Sequence, residues 1–221
     1  MMIKLRFRSA LAILAPLVAC GPVFAGTVSF FDGTFNPGNW TVTNIEAGSF
    51  SVTQVASGGD PGSYQQVILN PATFNDIAVT SNFTYNPSTQ GAIQSVIMSL
   101  STIDLGGPAQ GDGLLIGQGS HFWYAGYGST TSSWQTLSTG NMTASGWTLV
   151  ASGSVTPDFS STGGPISFGY LAANTNSFST AGIDNFSVRV DTIPEPVTLA
   201  TLGVGVLGTL YTRRRLKRAG G

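Results

Sequence analysis

Basic residues and cysteine are scarce in the middle of this chain of 221 residues. Nine Lys and Arg occur in all, but residues 26–192, here called the body, contain only Arg189. Against it stand nine Asp and Glu, so the body carries a net charge of −8. Proteins that bind nucleic acid or anionic membranes need clustered Lys and Arg. The composition of the body therefore argues against both classes.

Cysteine is also missing from the body, since the single cysteine of the chain is Cys20. Without disulfides, packing of the core alone must stabilise this region. At 167 residues, the body is long enough for one domain with a proper core. Gly, Ser, Thr and Asn dominate it, which is typical of a neutral, hydroxyl-rich extracellular surface.

Few side chains in the body are suited to catalysis. A Ser or Cys nucleophile needs a nearby base, and the single histidine, His121, lies next to Phe122 and Trp123 in a predicted strand. Glycoside hydrolysis needs two carboxylates about 5–10 Å apart, but the only Glu of the body is Glu46. The other candidates are predicted to cap turns, as Asp commonly does; they are Asp76, Asp104, Asp112 and Asp158. We therefore predict no enzymatic activity, with a hydrolase using Glu46 and an Asp as a distant alternative.

Long apolar runs are confined to the two ends of the chain. Near the C-terminus, Pro194, Glu195 and Pro196 precede an uncharged apolar stretch from Val197 to Tyr211. The prolines keep the backbone extended, so Glu195 is presented on a stiff peptide. Fifteen helical residues span roughly 22 Å, which is marginal for a bilayer core of about 30 Å. We predict a transmembrane helix over residues 197–212.

A basic cluster follows this apolar stretch and is expected to stay in the cytoplasm. It consists of Arg213, Arg214, Arg215, Lys217 and Arg218. Residues 193–221 resemble the PEP-CTERM sorting domain of exopolysaccharide-producing Gram-negative bacteria, although Val197 replaces the usual small residue. The resemblance implies recognition by exosortase, a membrane-embedded cysteine protease or transpeptidase, and loss of the tail. Glu195 then belongs to a substrate motif. An ordinary membrane anchor is the alternative.

The N-terminus has the form of a secretory signal peptide, residues 1–25. Its basic residues are Lys4, Arg6 and Arg8, and the apolar stretch runs over residues 11–19. Small or aliphatic residues precede the expected signal peptidase site between Ala25 and Gly26. Residues 17–20 also have the form of a lipobox, which would make Cys20 a lipidated N-terminus. We favour cleavage after Ala25 and keep lipidation as the alternative.

The body shows the alternation of apolar and polar residues that is typical of half-buried β-strands. Clear examples are residues 27–30, 40–43, 79–85, 166–170 and 186–190. The stretch 92–100 is apolar on both faces and is expected to be a central strand. Gly, Pro, Asn and Asp separate these runs. About ten or eleven strands without a helix of normal length predict an all-β, two-sheet sandwich over residues 26–192.

The arrangement is similar to concanavalin-like and carbohydrate-binding-module jelly rolls. The residues that carry this resemblance are 31–35 with Trp40 at the start and 181–188 at the end. Such domains often hold a structural Ca²⁺ near their termini, so the resemblance implies Asp32 and Asp184 as ligands if the first and last strands pair. No other cofactor is expected, because the body has no cluster of His and Cys.

Aromatic residues in Gly- and Ser-rich surroundings make sugar binding the best positive hypothesis for the body. The candidates are Trp123, Tyr124, Tyr127 and Trp134. Because side chains alternate along a strand, about half of residues 122–124 should point into the core instead. The sequence therefore predicts an exported protein with a structural or adhesive role, first anchored in the inner membrane and then placed at the cell surface or in the exopolysaccharide matrix. A lectin-like binding module is the alternative.

Overall fold

The computed structural model describes residues 26–46, 48–71, 74–175 and 177–193. The predicted signal peptide, the motif Pro194 to Pro196 and the predicted helix 197–212 lie outside the described residues. Among the described residues, no helix is long and apolar enough to cross a membrane.

Twelve strands make up nearly all of the described secondary structure. They are β1 (Thr27–Asp32), β2 (Trp40–Asn44), β3 (Gly48–Gly59), β4 (Gly62–Pro71), β5 (Phe74–Tyr85), β6 (Ile93–Gly106), β7 (Gly111–Gln118), β8 (His121–Ser129), β9 (Gln135–Ser138), β10 (Thr148–Leu149), β11 (Ile166–Thr175) and β12 (Ser179–Thr192). The described helical elements are short: α1 (Pro87–Gln90) and two 3₁₀ turns, Pro37–Asn39 and Ala144–Gly146. The expectation of an all-β domain is confirmed.

The strands form two antiparallel sheets of six strands each, which pack face to face as a sandwich. The order in the first sheet is β3-β4-β12-β6-β9, and the order in the second is β10-β8-β7-β11-β5-β2. One edge of β12 pairs with β4 over residues 179–183 and with β1 over residues 186–191. The first and last strands therefore pair, as the calcium hypothesis required.

The core lies between the two sheets and is built by the alternation that the sequence shows. Phe168 and Tyr170 on β11 face Val188 and Val190 on β12 across it, and all are buried. The strand expected over residues 92–100 is β6, which lies inside the first sheet between β12 and β9. Phe50 alternates with polar Ser49 and Ser51 as a core residue would, yet it is 38% exposed, because β3 is an edge strand paired on one side only.

Two of the Asp residues that were predicted to cap turns lie inside strands and, among the described residues, accept no hydrogen bond from a backbone N–H group, whereas Asp104 lies near the end of β6. Asp112 is completely buried in β7, and Asp76 lies in β5. The prediction was wrong for these two. Asp112 accepts hydrogen bonds from the side chains of Thr102 and Gln110, which satisfy its carboxyl inside the strand. Asp104 and Asp158 do cap the backbone, accepting hydrogen bonds at 2.9 Å from the N–H groups of Gly106 and Ser160.

Candidate functional site

An open cleft of about 320 Å³ lies on the outer face of the second sheet. Along β7 and β11, the residues that point into the core alternate with residues that point outward. The outward residues Gly111, Leu171 and Ala173 line the bottom of the cleft, and Tyr124 and Tyr127 of β8 line its side. Small side chains in the middle and large ones at the side leave a concave surface.

A β-bulge places both tyrosines on the same face of the sheet. The pairs on either side of the bulge are Asp112 with Gly128 and Leu114 with Ala125. Gly126 lies in the bulge with φ of 61°, a conformation that favours glycine. Without the extra residue, Tyr124 and Tyr127 would point to opposite faces. With it, their rings lie edge to face with centroids 5.7 Å apart.

Glycines in β7 allow the ring of Tyr127 to lie directly on the strand. A Cβ atom at Gly111 would stand 1.7 Å from Oη of Tyr127, and one at Gly113 would stand 3.2 Å from its ring. Any other residue at position 111 would therefore displace the tyrosine. Tyr127 is 52% exposed, so the ring rests on the glycine backbone while a large part of it stays open to solvent.

One acidic residue, Asp76, lines the cleft, and a second, Glu46, lies next to it. The backbone N–H groups of Ile45 and Glu46 donate to the carbonyl oxygen of Asp76 at 2.8 and 3.3 Å, which holds Glu46 next to Asp76. Burial raises the pKa of Asp76, and the negative charge of Glu46 raises it further. Burial also raises the pKa of Tyr127, with a smaller contribution from the Asp76 carboxylate. The cleft thus presents a carboxylate and a phenol together.

An apolar strip continues the cleft along the same face. Ala78, Leu115 and Leu171 are buried there, and Phe122, Tyr124, Val150 and Ile45 pack around them. Beyond the strip lies a second hollow of about 200 Å³, which is lined in part by His121 and Phe122 and shares Val150 with the first. His121 is exposed and lies 5.7 Å from the ring of Trp123.

The four aromatic residues that the sequence singled out do not form one surface. Tyr124 and Tyr127 line the cleft. Trp123 is only 2% exposed, and its Nε1 donates to the carbonyl oxygen of Val155 at 2.7 Å, so it belongs to the core. Trp134 packs edge to face on Tyr64 at 5.8 Å and covers Gly182 on the outer face of the first sheet. Any sugar contact in the cleft therefore depends on the two tyrosines.

Sequence reasoning gave no binding role to Asp76 and Gly111, which line the cleft, or to Gly113, which lies against the ring of Tyr127. The two glycines alternate in β7, and that spacing indicates one strand face without side chains. The sequence contains this signal, but the free face becomes a binding surface only because Tyr127 lies against it. Tyr127 lies there because of the bulge in β8, which the sequence does not reveal.

Asp32 and Asp184, the residues implied as calcium ligands, lie where the pairing of β12 changes from β4 to β1. Burial alone would raise the pKa of Asp32, but hydrogen bonds from Thr34, Phe35 and Trp40 outweigh it and lower the pKa. Both carboxylate oxygens of Asp32 accept these bonds. Asp184 is fully buried and accepts hydrogen bonds from the N–H groups of Asp60 and Asn185. Burial and, to a smaller extent, the charges of Asp60 and Asp32 raise its pKa.

This arrangement fits a metal ion poorly. In the part of the chain that the structure describes, no group of three or more His, Cys, Asp or Glu side chains is placed to hold a metal. Asp32 would have to give up hydrogen bonds that shape the turn before Trp40. In the structure, both carboxylates accept hydrogen bonds from nearby backbone N–H groups and so hold the neighbouring backbone in place.

The end of the chain can be assigned by comparison. Residues 192–215 match the family model of the PEP-CTERM protein-sorting motif. This chain carries a PEP-CTERM sorting motif. The prediction made from Pro194, Glu195, Pro196 and the basic cluster is confirmed. The motif is associated with exosortase processing and indicates an exported protein directed to the cell surface.

The body is similar to solved carbohydrate-binding modules. The family 11 module from Clostridium thermocellum in complex with a β-1,3-1,4-mixed-linked tetrasaccharide is 14% identical, with a TM-score of 0.50, over 78% of this chain and 99% of that chain. The family 11 module of a cellulosomal cellulase of the same organism is also 14% identical, with a TM-score of 0.49, over 78% and 98%. The first similarity shows the fold, a β-sandwich of the carbohydrate-binding-module type. A comparison with curated proteins gave no match.

Proposed function

We propose that this exported protein binds a polysaccharide in the cleft on its second sheet and acts as a structural or adhesive component of the cell surface or the exopolysaccharide matrix. The observation that carries the proposal is the pair Tyr124 and Tyr127, which the bulge at Gly126 holds over a floor of glycine. Aromatic rings pack on the apolar faces of sugars, while nearby carboxylates and phenols bond the hydroxyls. The sandwich fold supports this ligand class.

The cleft is built for binding along a chain. Its two hollows and the apolar strip between them lie on one face of the sheet and share Val150. The strip residues are buried, so a ligand would contact the two hollows. Two hollows along one face suit an extended polysaccharide better than a single sugar, which would need a closed pocket to bury most of its area.

Binding should be measured by calorimetry with the purified chain and soluble oligosaccharides. Mixed-linked β-glucan oligosaccharides are the first probes, because the similar family 11 module was solved with one. We expect saturable binding with dissociation constants of about 10⁻⁵–10⁻³ M, corresponding to roughly −7 to −4 kcal/mol. If none of a panel of neutral, amino and acidic oligosaccharides binds at millimolar concentration, the proposal fails.

We also propose that the body does not hydrolyse its ligand. Glu46 is exposed at a bend, and among the described residues Asp76 is the acidic residue that lies next to it. These two residues keep the hydrolase alternative testable. Incubation of the chain with each bound polysaccharide should release no reducing ends. Turnover that Glu46→Gln abolishes would overturn the proposal.

The sorting motif leads to a prediction about processing. We expect the intact mass of the protein recovered from the cell envelope or medium to end near residues 194–196 when the strain's exosortase is present. In a strain lacking the protease, the mass should include Arg213 to Gly221, because the predicted helix 197–212 then stays in the inner membrane. An unchanged mass in both strains would contradict processing and favour a plain anchor.

The same mass also decides how the N-terminus is made. Cleavage by signal peptidase after Ala25 gives a chain that starts at Gly26, whereas the lipobox alternative gives a lipidated Cys20. We propose the first. In the structure, the N–H group of Gly26 donates to Oγ1 of Thr192 at 2.8 Å, so Gly26 is joined to the last strand of the first sheet. A mass with added acyl chains on Cys20 would favour the alternative.

A structural Ca²⁺ at Asp32 and Asp184 stays a proposal with a simple test. Its support is the pKa of Asp184, which burial and, to a smaller extent, the charges of Asp60 and Asp32 raise, because a cation would offset this negative charge. If the ion binds, millimolar Ca²⁺ should raise the melting temperature by a few degrees. Mg²⁺ should do less, and the effect should vanish in Asp184→Asn. Equal melting temperatures with Ca²⁺ and with a chelator would rule it out.

A further inference from the structure

The cleft carries negative charge that nothing basic in the described residues balances. Asp76 lines the cleft, and Glu46 is held beside it by backbone hydrogen bonds. Arg189 is the single Lys or Arg in residues 26–193. It lies on β12 of the first sheet, where its Nε is 3.0 Å from Oδ1 of Asp191. The basic residue of the body is therefore on the other sheet and already paired.

The two carboxylates at the cleft repel each other, and part of this repulsion is stored in the structure. Burial raises the pKa of Asp76 and the charge of Glu46 raises it further, so the ionised form of Asp76 is held at a cost. In the described part of the chain, the carboxylate of Asp76 has no side-chain or backbone donor within hydrogen-bond distance. A cationic group of a ligand would supply the missing hydrogen-bond donor and offset the negative charge, because an ammonium group does both.

Building on the proposed function, we propose that this cleft selects polysaccharides with free amino groups, such as β-linked glucosamine chains, over neutral and acidic ones. The sugar ring packs on Tyr127, and the ammonium group reaches the carboxylate of Asp76, whose negative charge adds to that of the neighbouring Glu46. An acidic polysaccharide would place its carboxylates against these two residues without any basic partner, which is unfavourable. Neutral sugars keep the stacking on Tyr127 but gain nothing from the charge.

The test compares matched oligosaccharides that differ only at the amino group. The full chain, in a neutral detergent without a sugar headgroup, is titrated with glucosamine, N-acetylglucosamine and glucose oligomers of equal length and β-1,4 linkage. We expect the free amine to bind about five- to tenfold more tightly at low salt. Raising the salt from about 0.01 M to about 1 M shortens the Debye length from roughly 30 to 3 Å and should remove most of the difference.

Asp76→Asn is the decisive variant, because the amide keeps the size and hydrogen-bonding capacity of the carboxylate. It should bring the glucosamine oligomer down to the affinity of the neutral oligomers and leave those unchanged. Asp158→Asn is the matched control, because it removes the same charge at a site away from the cleft. Asp158 contacts Gln118 at the end of β7 opposite Gly111, so this variant should keep the preference for the glucosamine oligomer. Equal affinities in the unmodified protein, or a preference that survives Asp76→Asn, would overturn the inference while leaving glycan binding intact. Absence of all binding would instead sink the proposed function.

Discussion

Replacing Tyr127 by alanine is expected to weaken oligosaccharide binding about tenfold or more, which is roughly 1.4 kcal/mol or above. The ring lines the cleft and is 52% exposed, and stacking on sugar depends on it. Because Tyr127 is half exposed, the variant should keep its fold and lose little stability. Calorimetry with the oligosaccharide that binds best measures the effect, and circular dichroism checks the fold.

Two further variants separate loss of the ring from loss of its position. Gly111→Ala leaves Tyr127 in the chain but forces it off β7, because the new Cβ would collide with Oη. It should weaken binding nearly as much as Tyr127→Ala. Trp134→Ala removes an aromatic ring from the outer face of the first sheet and should leave affinity unchanged. If Trp134→Ala loses binding while Tyr127→Ala keeps it, the site lies on the first sheet, and this account is wrong.

Replacing Asp112 by asparagine is expected to stabilise the protein at neutral pH by up to about 3 kcal/mol. Asp112 is completely buried in β7 and accepts hydrogen bonds from Oγ1 of Thr102 and, at 2.9 Å, from Nε2 of Gln110. Burial raises its pKa from 3.8 to about 6, and the two hydrogen bonds only partly oppose this. Among the described residues, no basic group lies near this carboxyl.

The pH dependence of this stabilisation follows from the proton that Asp112 binds. Between about pH 4 and pH 6 the folded protein holds the proton on Asp112 more tightly than the unfolded chain does. The contribution of Asp112 to stability is therefore full below about pH 4 and is lost as the pH rises through about 6. Asparagine keeps the shape without the charge, so its advantage over aspartate should be small at about pH 4 and largest above about pH 7.

Urea unfolding of the two proteins over this pH range measures the effect. Asp158→Asn is the control with the opposite sign, because hydrogen bonds from Ser160 lower the pKa of that exposed carboxyl. It should lose a little stability at neutral pH. If Asp112→Asn is less stable than the natural protein at every pH, the ionised carboxylate is held favourably by Thr102 and Gln110, and the account of this buried site is wrong.

Much of the sandwich could be predicted from the sequence, because alternation is strong where one strand face is buried. Residues 166–170 and 186–190 show this, and their alternate side chains form the core. Phe50 and Asp112 show the limits. Alternation indicates which residues share a face, but not how completely a neighbouring strand covers them. It also gives no sign that a carboxyl will be buried with two hydrogen-bond donors.

The cleft could be predicted only in part. The aromatic cluster near residue 123 contains Tyr124 and leads to Tyr127, and these are the two aromatic residues that line the cleft. The bulge at Gly126 changes which face Tyr127 occupies, and a one-residue irregularity of this kind cannot be read from period-two patterning. Trp134 was expected beside them, but it follows a loop to the other sheet. The contribution of Asp76 depends on pairing between strands that are distant in sequence.

The central claim is that the outer face of the second sheet binds polysaccharide, and nuclear magnetic resonance tests it most directly. An isotope-labelled chain is titrated with the oligosaccharide of highest affinity, and the shifts of backbone amides are followed. The account predicts saturable changes concentrated at Gly111, Gly113, Tyr124, Tyr127 and Ala173. Changes centred on Tyr64 and Gly182 of the first sheet, or no changes at saturating ligand, would contradict it.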